Sequence, residues 1–176
     1  MAVHNVHERE LTGIPPERVG RLIDELAGDN DRIWPVQSWP AMRLDPGLQL
    51  GARGGHGPIR YTIEQYAPGF WVRCRFTGPR GVHGYHEFSW RRGATGTVLR
   101  HDLVVTPRGP ARLAWPLALR WLHDALLEDL LDRAEQVATG SVRRPSRWSA
   151  YVRLLRAGAR RRPGARAGVP QATTAG

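Results

Sequence analysis

Seven histidines, a single cysteine and twenty-six arginines are the side chains of this 176-residue sequence with chemistry to offer, and the histidines say most. His86 and His101 fall among apolar neighbours on segments that alternate like strands. A buried imidazole must find hydrogen-bond partners or remain costly. Such a group contacts a ligand, moves a proton as a general acid or base, or is a core histidine bonded to its twin or to backbone. Zinc fails the spacing test. His83 and His86 (HGYH) stand three apart on a strand and point to opposite faces, and His4 and His7 repeat the problem. With no HExxH and only Cys74, neither a metal nor a cofactor is expected. The glycine cluster Gly51 to Gly57 lacks the GK[ST] ending of a phosphate loop. Ser38, Ser89 and Cys74 sit in no nucleophile motif.

The elements that would position these groups are legible from periodicity. Residues 2–11 read as a first strand. After Pro15-Pro16, Val19, Leu22, Ile23 and Leu26 form one apolar stripe of a short helix that Gly28 should stop. Residues 29–58 are irregular, with room for two or three short strands or turns. Residues 58–66, 70–77, 82–91 and 96–106 then alternate, separated by Ala67-Pro68-Gly69, Gly78 to Gly81 and Gly93-Ala94, which predicts an antiparallel meander. A three-residue loop at 79–81 pairs Arg73 with Glu87 and Cys74 with His86. A two-residue loop at Gly93-Ala94 would set His86 opposite His101, Glu87 opposite Arg100 and Phe88 opposite Leu99. The inward set is then Ile59, Tyr61, Ile63, Phe70, Val72, Cys74, Phe76, His86, Phe88, Leu99, His101 and Leu103. Glu64, Arg73, Glu87, Arg100 and Asp102 make a charged outer face.

A long helix from Pro110 or Pro116 to Ala138, ended by Gly140, carries Leu119, Leu122, Leu126, Leu130 and Val137 on one stripe. Arg120 with Asp124, and Asp129 with Arg133, are spaced as i,i+4 pairs. His123 lies beside the stripe. The net charge of +10 is unevenly placed: all 16 acidic residues precede residue 141, while residues 141–176 hold nine arginines and no acid. That pattern describes a near-neutral domain over 1–140 and a basic tail over 141–176, not a specific nucleic-acid binder. In the tail Trp148, Tyr151, Val152 and Leu155 follow helical spacing over about 146–160, among Arg147, Arg153, Arg156 and Arg160. A helix there would suit an anionic membrane surface or another polyanion, and a disordered extension is the plain alternative, expected for 163–176. No apolar run is long enough to span a bilayer, and the charged N-terminus does not read as an export signal, so the expected compartment is the cytoplasm, peripheral to a membrane through the tail.

The order strand, short helix, meander, long helix resembles the SRPBCC, or START-like, helix-grip superfamily, which includes polyketide cyclases and dehydratases and small lipid-binding proteins. The stretches that carry the resemblance are VHNVHERELTGIPPERVGRLID, HGPIRYTIEQYAPGFWVRCRF, GYHEFSWRRGATGTVLRH and LALRWLHDALLEDLLDRAEQVATG, within about residues 2–140. The resemblance implies an α+β fold in which a curved antiparallel sheet of six or seven strands, with one or two short helices after the first strand, wraps a long C-terminal helix. It also implies an apolar cavity between them for a small molecule or lipid. Tyr61, Cys74, His86, Phe88 and His101 are then the candidate cavity residues, with His123 on the helix and Trp39 (and Trp34) at the mouth. If a reaction occurs, a cyclase- or dehydratase-type lyase or isomerase with His86 or His101 moving protons is the expectation. The sequence carries no full acid/base constellation, which favours binding alone.

Overall fold

The computed structural model describes residues 2–160. The strands are β1 (Val3–Thr12), β2 (Arg43–Asp45), β3 (Arg53–His56), β4 (Ile59–Ala67), β5 (Trp71–Gly78), β6 (Val82–Arg92) and β7 (Gly96–Pro107). They form one antiparallel sheet in the order β1-β7-β6-β5-β4-β3-β2. The first and last long strands are neighbours, so the chain closes most of the sheet's width around a single interior. Helix α1 (Pro16–Asp24) follows β1, and its stripe of Val19, Leu22, Ile23 and Leu26 is buried. It ends four residues before Gly28 because Ala27 itself takes a left-handed φ of 61° and its N–H is held by Asp31 at 2.9 Å. Gly20 lets α1 approach the β4–β5 turn: a Cβ there would lie 2.3 Å from the Gly69 carbonyl oxygen.

The β5–β6 register pairs Arg73 with Glu87 and Cys74 with His86, as the loop arithmetic requires. The β6–β7 register differs from expectation by two residues. The connection runs Gly93–Gly96, closed by the Gly93 N–H to the Gly96 carbonyl at 2.9 Å, so Phe88 faces His101, His86 faces Leu103 and Glu87 faces Asp102. A shift of two leaves every side chain on its original face, so the inward set survives. Phe70 is the exception. It belongs to the turn before β5, is 58% exposed and stacks on Trp90 at 5.1 Å. The outer ladder forms as ion pairs: Arg73 to Glu87, Arg75 to Glu64, Arg100 to Asp102, and Arg91 and Arg100 to Glu8.

The long helix begins with a short turn, α2 (Ala111–Ala114), passes through a wide π turn at Trp115–Leu119 and continues as α3 (Arg120–Thr139). The C-terminal half of α3 is packed tightly, with Leu126, Leu127, Leu130, Leu131 and Ala134 buried, and Gly140 closes it at φ 86°. The N-terminal half is looser: Leu119 and Leu122 are only partly buried. Arg120 reaches Asp124 at 3.6 Å. The expected pair of Asp129 with Arg133 does not form, because half-buried indoles compete for the carboxylate. Asp129 accepts from Trp39 Nε1 at 2.7 Å and Trp148 Nε1 at 2.9 Å, while Arg133 donates to the Arg32 carbonyl and to Gln37.

Beyond Gly140 the chain turns back along α3. The Ser146 N–H donates to Asp132 at 2.7 Å, and α4 (Ala150–Arg160) packs against α3 with Val152 buried. The helical spacing at 146–160 is thus met by a helix, but its apolar stripe is turned toward the domain. The reading of 163–176 as disordered falls outside the described residues, as does the side chain of Arg160. No helix among the described residues is long and apolar enough to cross a membrane.

Candidate ligand cavity

A cavity of about 520 Å³ opens between the concave face of the sheet and the N-terminal half of α3. Its sheet wall is Ile59, Phe76, Val82, Phe88, Leu103 and Val105, and its helix wall is Leu119, Leu122, Leu126 and Leu127. Trp34, Trp39 and Trp115 complete the apolar lining. The interior hydrophobic residues fall into two clusters, one centred on Leu130 and Phe88 and a smaller one of Val82, Leu103, Val105 and Ala111, and the cavity touches both. It exists because α3 spends its fully buried leucines on the first cluster, while the second is met by Trp115 and Leu119 of the preceding π turn.

Of the residues singled out from sequence, Trp39, His86, Phe88, His101 and His123 line this space, as does Trp34. Tyr61 and Cys74 do not. Both are buried in the larger cluster, Tyr61 edge-on against His86 at 4.9 Å, and burial pushes both their hydroxyl and thiol well above the usual range. His56 was not anticipated. It sits in the cavity wall at the end of β3, its ring tilted against Trp34 at 4.9 Å, and only its place beside Arg53 in the otherwise glycine- and alanine-built GARGGHG marked it.

The imidazoles decide the electrostatics. His101 Nε2 meets His86 Nδ1 at 3.3 Å. Desolvation holds His86 down at about 3 and His56 at about 4, with the neighbouring histidines adding to the effect, and pushes His101 and His123 down as well. All four are therefore neutral at pH 7. One hydrogen lies between His86 and His101, and either ring can own it. If His101 donates, His86 Nε2 carries a hydrogen with no acceptor and His101 Nδ1 is a bare lone pair; if His86 donates, the two ends exchange roles. Both atoms are buried with no partner among the described residues, as are His123 Nε2 and the Tyr61 hydroxyl. The pair thus always presents one unmet donor and one unmet acceptor.

A few ångströms away the opposite state prevails. His7 on β1 donates from Nδ1 to Glu128 at 2.8 Å and from Nε2 to Asp124 at 3.2 Å. Burial opposes its charge, but the two carboxylates outweigh it and raise His7 to about 9. His123, on the cavity wall, lies 3.5 Å from the same Asp124 oxygen. Spacing within one segment hid this group, since its members are more than a hundred residues apart.

No family model matches the chain, and no curated protein matches it. Solved structures do. CalU16 from Micromonospora echinospora, 12% identical, aligns over 89% of this chain and 82% of its own with a TM-score of 0.54. Ara h 8.0201, 10% identical, aligns over 80% of this chain and all of its own with a TM-score of 0.58. The di-domain ARO/CYC StfQ from the steffimycin biosynthetic pathway, 13% identical, aligns over 80% of this chain and 51% of its own with a TM-score of 0.57. This is the helix-grip fold of the SRPBCC type. At these identities the likeness speaks for the fold.

The C-terminal α4 caps one side of the cavity. Arg156 and Ala159 of α4 line the cavity. The Arg156 guanidinium lies over Trp39 at 4.1 Å and over Trp148 at 4.2 Å and donates to the Ser38 carbonyl, while the Tyr151 hydroxyl donates to the Leu117 carbonyl. Arginine stacked on indole in a desolvated setting contributes up to about 2 kcal/mol. Of the other tail residues, Arg147 and Arg153 remain exposed. Trp148, Tyr151 and Val152, the stripe that would meet a membrane, contact the domain instead.

Proposed function

We propose that this protein binds an apolar small molecule or lipid in the cavity between sheet and α3. The observation that carries the reading is a cavity of about 520 Å³ walled mainly by aliphatic and aromatic side chains, with a buried histidine pair among its few polar groups. Pockets of roughly 300–1,000 Å³ with apolar walls and few polar groups are the usual form of small-molecule sites. The unmet donor and acceptor of the His86–His101 pair favour a guest that carries a hydroxyl or carbonyl on a hydrocarbon body, directly or through a bridging water. The neutral state of the histidines favours an uncharged group at that end. Titration of an apolar fluorescent dye into the full chain, alongside mass spectrometry of molecules retained through native purification, tests this. Leu103→Trp, which adds bulk inside the cavity, is expected to weaken dye binding at least tenfold with an unchanged circular dichroism spectrum. Equal binding by both proteins would contradict the reading.

A second reading draws on the same pair. A neutral imidazole is the form that accepts a proton, so a polyketide-like substrate placed against His86 or His101 would be open to proton removal beside a carbonyl, followed by ring closure or loss of water. Turnover of an aromatic polyketide mimic that disappears in His86→Phe while binding persists would favour this enzyme. Absence of turnover in the unaltered protein would favour the carrier.

A further inference from the structure

The group on β1 and α3 has a composition that an ion-pair network does not explain. Asn5 and His7 stand two apart on β1 and so share a face. His123 and Asp124 approach them from α3, with Glu128 one turn further on. One oxygen of Asp124 is the focus: Asn5 Nδ2 lies 3.1 Å from it, His7 Nε2 3.2 Å and His123 Nδ1 3.5 Å. One donor atom from each of His7, His123 and Asp124 falls within 4.8 Å of the others. Zinc–ligand bonds of about 2.0–2.1 Å in tetrahedral geometry set ligand atoms roughly 3.3 Å apart, so the two shortest separations already match a filled site.

Two details point to a cation. Glu128 accepts from His7 Nδ1 at 2.8 Å, the arrangement in which an outer carboxylate fixes the tautomer that turns Nε2 toward a metal. Asn5 Oδ1 is buried with no hydrogen-bond partner among the described residues. The oxygen and nitrogen of an amide exchange by a flip. Without a cation the flip is unfavourable, because it sets the amide oxygen against the Asp124 carboxylate. With one it is favourable, because the orphaned oxygen becomes a fourth ligand. We propose that Asn5, His7, His123 and Asp124 form a binding site for a divalent first-row transition ion, with zinc as its reference occupant, that clamps β1 to α3 at the cavity wall. Two imidazoles, a carboxylate and an amide oxygen suit zinc, cobalt or nickel better than calcium or magnesium, which prefer all-oxygen sets. Binding displaces one proton from His7, whose imidazolium otherwise sits between the two carboxylates. Arg9, 3.2 Å from Glu128, and Arg120, 3.6 Å from Asp124, balance the surrounding negative charge.

The test uses untagged full-length protein, stripped with a chelator and titrated with zinc chloride by calorimetry and with cobalt chloride by visible absorption. The expected result is one ion per chain, the intense visible bands of low-coordinate cobalt with nitrogen ligands, and a melting temperature that rises with zinc saturation. Asp124→Asn and His123→Asn should each weaken binding at least a hundredfold. Asn5→Ala should weaken it about tenfold and Asn5→Asp strengthen it, a readout that loss of folding cannot imitate. Failure of the folded, chelator-treated chain to take up zinc or cobalt would overturn the proposal. So would stoichiometric uptake that Asp124→Asn and Asn5→Ala leave unchanged, since the ion would then sit elsewhere.

Discussion

The histidines inside the cavity and the histidine on its β1 flank are the same side chain in opposite charge states, separated by one ring. His101 and His123 lie 5.2 Å apart between centroids, and His123 and His7 5.7 Å. Among the described residues His86 and His101 hydrogen-bond only to each other and otherwise meet aromatic rings, so desolvation rules and they stay neutral. His7 is also largely buried, yet two carboxylates from α3 reverse the outcome. Burial alone does not set charge; the nearest ionised partner does. The consequence is spatial. Among these histidines charge is confined to the seam where β1 meets α3, and the histidine wall of the cavity beside it stays neutral enough for a hydrocarbon guest.

The largest effect that would break this contrast is acid lability. The unfolded chain protonates its histidines near pH 6.5, whereas folded His56 and His86 stay neutral until about 4 and 3, with His101 also low. Stability is therefore lost as pH falls below about 6.5, with each neutral histidine contributing a slope of up to about 1.4 kcal/mol per pH unit. Urea unfolding at several pH values should show this, and His101→Leu should flatten it; an unchanged slope would mean that His101 does not stay neutral. His7 should show the reverse sign, because its folded value is raised. Its contribution is complete below about pH 6.5 and lost as pH rises through about 9. With chelator present, His7→Gln is expected to cost about 1–2 kcal/mol at pH 7, allowing for solvent near its partners, and nothing near pH 10.

Arg156 offers a third way to hold a desolvated group, a cation on indole faces. Arg156→Ala should lower stability by about 1 kcal/mol and, by loosening α4 at the mouth, speed dye entry severalfold in stopped-flow measurements. The smallest change belongs to the outer face. Glu87→Gln, which removes the partner of Arg73 at 2.8 Å, should cost only about 0.2–1 kcal/mol by thermal unfolding and leave dye binding untouched.

The sequence carried the architecture further than the site. Period-two alternation named β4 to β7, the leucine stripe named α3, and Gly140 gave its end, because each signal is local. The β6–β7 register was missed by two residues, since Gly93-Ala94-Thr95-Gly96 admits either loop length and the face pattern cannot tell them apart. His86, His101 and Trp39 were found because polar or bulky groups on an apolar face stand out. Tyr61 and Cys74 share that face, and alternation alone cannot tell which inward side chains pack into the larger cluster and which line the cavity. His7 with His123 and Asp124, Asp129 with Trp39 and Trp148, and Arg156 over Trp39 were beyond reach. Each joins segments whose distance in sequence gives no hint of contact.

The central claim is that the space between sheet and helix accepts an apolar guest. Isotope-filtered NMR on labelled full-length protein with an unlabelled apolar alcohol tests it most directly. The predicted result is intermolecular contacts to the methyls of Leu103, Val105, Leu122 and Leu126, with shifts at the ring nitrogens of His86 and His101. Contacts confined to exposed Leu113, Leu117 and Leu154, with those interior methyls and rings unmoved, would contradict it.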